Sequence, residues 1–515
     1  MQKTIYWHDY ETFGKNPRRD RAAQFAGIRT DEDLNIVGEP LVLYCQPAPD
    51  MLPDPAACRI TGITPQLALE QGLCEAEFIG RIHQEFIQPG TCVAGYNSIR
   101  FDDELTRQLL YRNFHDPYER EWKHGNSRWD IIDMLRLCAA TRPEGIVWPR
   151  RQDGNISFKL EALTAANGLE HAQAHDALSD VMATIAMARL VKTHQPRLYA
   201  HIFSLRNKQN VQAEIDLFQR KPLLHVSMMY PASRGCMALV MPLVRHPLDS
   251  NGVIVYDLAC DPLSWLDLST SEIRERLFTP ADQLPPGLER IPLKVLHLNR
   301  CPVVVPAAVL SPELAAEWGI ALSACQAHHE ALSADRQRLE DVAEKVAQAF
   351  DPRYHEIDDI EEREGLPLET DPDYMIYSGG FFNAHDRQLM QQIRNSKPGE
   401  LSTFAPLFND GRLPEMLFRY RARNWPETLS AQEQQRWLQF CAQRLAREPS
   451  DQHAGLGLTA FYQALSALRA ETETEGEGKG KGETAASTTQ LLDALQTYAE
   501  TLAGHLHLDS GAQGG

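Results

Sequence analysis

"YWHDYETFG", Tyr6–Gly14, sets two carboxylates, Asp9 and Glu11, on alternate residues directly behind the apolar residues Ile5, Tyr6 and Trp7. Aromatic and β-branched residues predict a strand over Lys3–Asp9. Alternate residues of a strand point to the same side. Two like charges side by side are either a solvated strand face or part of a larger acidic arrangement. Further acids arriving from elsewhere in the chain decide between the two.

Outward from that strand, Ala22–Thr30 and Pro40–Gln46 read as antiparallel neighbours. Phe78, Ile79, Ile82 and Phe86 share one helical face, as do Phe101, Leu105 and Leu109. A last helix over Asp176–Thr193 carries Leu178, Val181, Met182, Ile185 and Ala188 at helical spacing. The expected first domain, 1–193, is α/β, a mixed sheet with flanking helices. From 196 to 347 short β-like runs alternate with Pro, Gly and Asn turns: Leu223–Ser227, Met237–Val244, Val253–Leu258, Leu293–Leu298 and Val303–Pro306. They predict a small β-barrel with added helices. The third block, 352–515, reads as helical, for example over Arg387–Arg394 and Ala431–Arg447. "ETETEGEGKGKGETAASTT", 471–489, interrupts it as an expected flexible, solvated insert without phosphate-loop spacing. A final amphipathic helix carries Leu491, Leu492, Leu495, Tyr498, Ala499 and Leu502.

A length of 515 residues suits about three domains, and 43% hydrophobic with 23% charged residues is an ordinary globular balance. The ten cysteines form no C-x-x-C pair, and no helix carries H-x-x-x-H, which argues against a structural zinc site and a disulfide framework. No apolar run is long enough to span a bilayer, and the N-terminus has no signal-peptide apolar region. A cytoplasmic protein with no membrane partner is expected. The net charge of −19 requires any nucleic-acid binder to gather its 51 Lys and Arg residues into one groove.

"AGYNSIRFDDE", 94–104, turns into the Leu105–Leu109 helix and places Asp102 on its inward stripe, with Asp103 off it. An inward carboxylate must be paired, protonated or metal-bound, and a buried salt bridge to an arginine is the plainer alternative. "AHDALSDVMATIAMARL", 174–190, places His175 at the mouth of the last helix, Asp176 as a possible N-cap and Asp180 one turn inside. Taken singly, these read equally as a loop histidine and a helix-start acid. Arg419, Arg421 and Arg423 alternate with Tyr420 either as a nucleic-acid stripe or as internal ion-pair partners.

In order and spacing, Asp-x-Glu, Asn-x-x-x-x-Asp and His-x-x-x-x-Asp resemble the 3′→5′ exonuclease superfamily defined by four acids and a histidine, built on a ribonuclease-H-like sheet. Clustered carboxylates raise one another's pKa, and divalent ions reverse that cost. The resemblance implies two Mg²⁺ ions, with Mn²⁺ a possible substitute, held by Asp9, Glu11, Asp102 and Asp180. Asp9 would bridge both ions, Glu11 and Asp180 would hold the nucleophile-side ion, and Asp102 would support the other. His175 would take the proton of the attacking water.

Longer stretches resemble bacterial exonuclease I: "QFAGIRTDEDLN" at Gln24, "NSRWDIIDM" at Asn126, "RPEGIVWP" at Arg142, "PLLHVSMMY" at Pro222, "VLHLNRCPVV" at Val295 and "RYRARNWPETL" at Arg419. This implies a Src-homology-like barrel, a helical C-terminal domain and processive 3′→5′ degradation of single-stranded DNA to 5′-mononucleotides, with roles in DNA repair and recombination. Glu11, Arg107, Tyr118, Trp122 and Arg136 match family positions that touch the strand. Lys159 stands where the family usually carries arginine, keeping the charge and losing the planar fork. The resemblance also implies a partner, the acidic C-terminal tail of the single-stranded-DNA-binding protein. A monomer is the default expectation. The alternatives are a related exonuclease acting on RNA or in proofreading and, from another class, a non-catalytic single-stranded-DNA-binding scaffold.

Overall fold

The computed structural model describes residues 3–171, 175–351, 353, 369–447, 455–476 and 482–508. The chain forms two compact units, Met1–Ser127 with His171–Thr184 and Leu368–Gly515, and Arg128–Glu170 with Ile185–Pro367. They cut across the three expected segments, because the C-terminal helices share a core with the N-terminal residues. Phe13, Leu52 and Ile63 lie in one buried cluster with Phe418, Trp437, Phe461 and Leu495.

In the first unit the strands are β1 (Thr4–Thr12), β2 (Ala22–Asp31), β3 (Leu41–Tyr44) and β4 (Thr91–Gly95), in the order β3-β2-β1-β4. β1 is central, antiparallel to β2 and parallel to β4, and buried on both faces, which explains its nearly unbroken apolar start. It runs past the expected end at Asp9, so both carboxylates lie within the strand. Helix α1 (Glu75–Phe86) buries Phe78, Ile79, Ile82 and Phe86 against the sheet, in one cluster with Tyr6, Tyr10 and Phe25. Helix α2 (Asp102–Arg112) buries Leu105 and Leu109 as expected. Nearly all of it is enclosed, and Asp103 is buried too, paired at 2.7 Å with Arg120. The single inward stripe expected from spacing is therefore too narrow. Helix α3 (Ala177–His194) has its first eight residues in this unit. Met182, expected on its inner face, is exposed.

The C-terminal helices of the first unit are α4 (Ala384–Asn395), α5 (Leu413–Asn424), α6 (Ala431–Leu445), α7 (Leu458–Gly476) and α8 (Gly482–His505). The stretch 471–489, expected as a flexible insert, is helical up to Gly476 and again from Gly482, and 477–481 lie outside the described residues. The helices α7 and α8 dock through Leu465, Leu468, Leu492 and Leu495, and that burial extends regular structure into a polar sequence.

The short strand Ser127–Asp130 (β5) begins at the boundary of the two units. The second unit carries β6 (Leu223–Val226), β7 (Met237–Arg245), β8 (Gly252–Asp257), β9 (Leu293–His297) and β10 (Val303–Pro306), close to the expected runs. They form an antiparallel sheet in the order β10-β6-β7-β8-β9. None of the ten cysteines is paired in a disulfide. Among the described residues no helix is long and apolar enough to cross a membrane.

Candidate active site

Pairing between β1 and β4 covers only Thr4–Trp7, so the later residues of β1 lie beyond the end of its parallel neighbour. Crevices outside the carboxyl ends of parallel strands are where open α/β sheets place their sites. Asp9 and Glu11 stand there, opposite Ala26 and Gln24 of β2. Freed from β4, the backbone N–H of Tyr10 donates to Asp102 Oδ1 at 3.2 Å, tying the first residue of α2 to the strand between the two acids. Gly95 closes β4 against β1, and a Cβ there would lie 3.1 Å from the carbonyl oxygen of His8.

The third acid arrives with α3. Asp176 caps the helix by accepting from the backbone of Ser179 at 3.1 Å. Gln24, the cross-strand partner of Glu11, holds that cap: its amide donates to Asp176 at 3.3 Å and its carbonyl accepts from Ala177 N at 3.2 Å. One turn in, Asp180 faces Glu11. Ligand atoms of Glu11, His175 and Asp180 all lie within 4.8 Å of one another, which makes them a candidate metal-holding group. His175 is exposed, with φ of +67°, a left-handed conformation that costs a non-glycine residue about 1 kcal/mol or more.

Electrostatics set this cluster apart. Burial pushes the Asp9 carboxyl well above the ordinary range, and the charges of Asp102, Glu11, Asp180 and Asp176 push it further. The Glu11 carboxyl is pushed up to about 8 by burial and then by Asp180, Asp102 and Asp176. Asp180 is also raised by burial, while His171 works in the other direction. Asp50, fully enclosed, goes the opposite way: burial raises it, but Arg423, Arg21 and Arg444 outweigh burial and hold it low. Convergent buried carboxylates with oxygen ligands suit a hard divalent cation, so the residues fit the ions the sequence implies.

A pH dependence follows for the metal-free protein. A carboxyl raised on folding contributes stability that is full below its unfolded pKa, about 4.5, and is lost as pH climbs through about 8. Glu11→Gln is therefore expected to come within about 1 kcal/mol of the parent at pH 5 and to gain on it by about 3–4 kcal/mol by pH 8. Urea unfolding in chelator at the two pH values measures this, and an advantage that shrinks as pH rises would contradict it.

The expected strand-contact residues fall in both units. Arg107 is held by Glu121 at 2.8 Å, with its guanidinium 5.4 Å from the Tyr118 ring centre. Trp122 leaves 63% of its surface exposed, unusual for the largest aromatic and suited to stacking. In the second unit Arg136 pairs with Asp133 at 2.5 Å and Lys159 with Glu161 at 3.7 Å. Arg136 and Lys159 line one cavity of about 280 Å³ with Arg151, Phe158 and Trp318. Asp9, Glu11, Asp102, His175 and Asp180 belong to the same unit as Arg107, Tyr118 and Trp122, and Arg136 and Lys159 belong to the other.

Sequence reading passed over His171, whose Nε2 lies 2.5 Å from Asp180 Oδ1. The signal was present as His171-x-x-x-His175, which falls ahead of α3.

Three family models match the chain: "Exonuclease" over residues 6–188, "Exonuclease I SH3-like domain" over 206–352 and "Exonuclease I C-terminal domain" over 370–502. Exodeoxyribonuclease I of Escherichia coli (strain K12) is 48% identical over 439 residues, 85% of this chain and 89% of that protein. The structure of a moderately thermophilic exonuclease I from Methylocaldum szegediense is similar with a TM-score of 0.85 at 48% identity, covering 97% of this chain and 99% of that one. The zinc-ion-bound form of an E. coli exonuclease I complex with single-stranded DNA is similar with a TM-score of 0.85 at 44% identity, covering 98% and 100%.

Proposed function

The chain belongs to the exodeoxyribonuclease I family, and from that membership and the acidic cluster of β1, α2 and α3 we infer that it hydrolyses single-stranded DNA from the 3′ end. The observation that carries this reading is the convergence of Asp9, Glu11, Asp102 and Asp180 beside an exposed His175. In this reading the products are 5′-mononucleotides released processively. Two divalent ions, when bound, supply charge neutralisation and stabilise the attacking and leaving oxygens of an in-line displacement.

The chain's own residues do the rest. Asp9, Glu11, Asp102 and Asp180 would hold the ions, with Mg²⁺ the natural choice and Mn²⁺ a substitute. His175 accepts a proton from the attacking water on a ring nitrogen, and its exposed position gives it access to substrate. Water oxygen bonds to phosphorus, the bond to the 3′ oxygen breaks with its electron pair staying on that oxygen, and the oxygen takes a proton from solvent, so the shortened strand keeps a 3′-hydroxyl. Trp122 and Tyr118 offer stacking faces, while Arg107, Arg136 and Lys159 offer cations to the backbone.

The three-segment organisation 1–193, 196–347 and 352–515 belongs to the same proposal, supported by family-model boundaries near those positions. The partner tail, the monomeric state, the cytoplasmic location and the repair role rest on family resemblance. The decisive test incubates 5′-labelled DNA and RNA strands side by side with Mg²⁺, adding a 3′-blocked DNA and a chelator arm. Shortening of the free DNA alone is expected. Preferential loss of RNA would overturn the substrate, and cleavage in chelator would overturn the metal.

A further inference from the structure

His171 is enclosed, with 6% of its side chain exposed, and its Nε2 meets Asp180 Oδ1 at 2.5 Å. Asp180 is itself fixed in the first turn of α3, where its backbone N–H donates to Asp176 at 3.0 Å. A carboxylate that gives one oxygen to a cation remains free to rotate unless its other oxygen is held. Hydrogen bonds from outside the ligand set supply that restraint at metal sites. Among the described residues, one cluster close enough to hold an ion is Glu11, His175 and Asp180, and His171 is not in it. It stands behind Asp180 as a partner of the ligand.

We propose that His171 is a positioning residue that locks the Asp180 carboxylate for metal binding, leaving His175, four residues on, to serve the water. This rests on the assignment of Asp180 as a metal ligand. His171 and His175 then divide two tasks within one short segment: the enclosed imidazole orients the ligand and the exposed one meets substrate. Enclosure matters because a hydrogen bond shielded from water is not lost to competing solvent.

The test titrates Mn²⁺ into the full chain without DNA, by calorimetry and by the loss of free-ion electron paramagnetic resonance. His171→Ala is expected to weaken Mn²⁺ binding about 10- to 100-fold. His171→Gln, which places an amide N–H near the same point, should restore most of it. His171→Leu fills the volume without a donor and should lose affinity like Ala, which covers the case of an Ala variant that fails to fold. The Mg²⁺ concentration giving half-maximal cleavage should rise by the same factor. Unchanged Mn²⁺ affinity in Ala and Leu would overturn the proposal, and tighter binding would overturn it by showing that the imidazole competes with the ion. If Asp180→Ala loses Mn²⁺ while the His171 variants keep it, only this inference falls; if Asp180→Ala keeps it too, the metal-site reading falls.

Discussion

Asp180→Asn is expected to cleave single-stranded DNA about 10³-fold more slowly than the parent, or worse, with strand binding retained. The substitution keeps the size and polarity of the side chain and removes only its charge. Loss of one anionic ligand forfeits part of a metal's transition-state stabilisation, worth several kcal/mol, and about 4 kcal/mol corresponds to 10³ in rate. Asp180 also sits where the effect is easy to isolate. It lies at the start of α3, on a turn held by Asp176 and Gln24, so the backbone stays in place without its charge. Removing a repelling neighbour should even relieve Glu11, whose carboxyl Asp180 helps to raise. Single-turnover cleavage in saturating Mg²⁺ measures the effect. A variant within tenfold of the parent would remove Asp180 from the machinery. Asp103→Asn is the contrasting case: that acid is engaged by Arg120, so its loss should cost stability before it costs turnover.

What was legible in the sequence follows from which forces are local. The period-two and helical spacings located β1 to β3, the strands of the second unit and several of the helices, because each buries a regular face, whereas β4, five buried residues without alternation, was passed over. Asp9, Glu11, Asp102, His175 and Asp180 are each ambiguous taken singly, and only the resemblance of their motifs, in order and spacing, to the four-acid exonucleases singled them out as a set. Asp103 and Arg120 were not, since a helix enclosed almost all round hides which polar side chains point inward. His171 escaped because it lies on no periodic element, and its meaning comes only from its distance to Asp180. The alternating Arg419, Arg421 and Arg423 left two readings open. The structure places Arg419 and Arg423 in ion pairs with Asp373, and Arg421 with Glu433. Asp373 lies 46 and 50 residues from its two arginines, and Asp50, a further partner of Arg423, lies 373 residues away, separations at which local pattern carries no information.

That buried network yields the largest stability effect expected. Asp50, with no side-chain exposure, accepts Arg423 at 2.8 Å and Arg21 and Arg444 at 3.4 Å each. Arg21 continues to Glu75 at 3.1 Å, and Glu75 accepts Arg112 at 3.1 Å. One carboxylate thus joins a residue beside β2 to helices α5 and α6, across the same seam that the apolar cluster of Phe13 and Trp437 closes. Desolvating these charges is costly, and the arrangement is favourable only while each has its counterpart. Asp50→Asn leaves three enclosed guanidinium groups facing a neutral amide, and removal of one partner from a buried pair costs about 3–5 kcal/mol. The first unit should therefore unfold at clearly lower urea, followed by tryptophan fluorescence. The parent's advantage is full above the ordinary carboxylate range, near pH 4, and shrinks progressively as pH falls below it, because the arginines hold the Asp50 pKa well under its unfolded value. Cleavage per folded molecule should stay within a few-fold, since Asp50 lies outside the acidic cluster. A loss under about 1 kcal/mol would show that the arginines find other partners, and that the apolar seam, rather than the ion pairs, secures the C-terminal helices to the nuclease core.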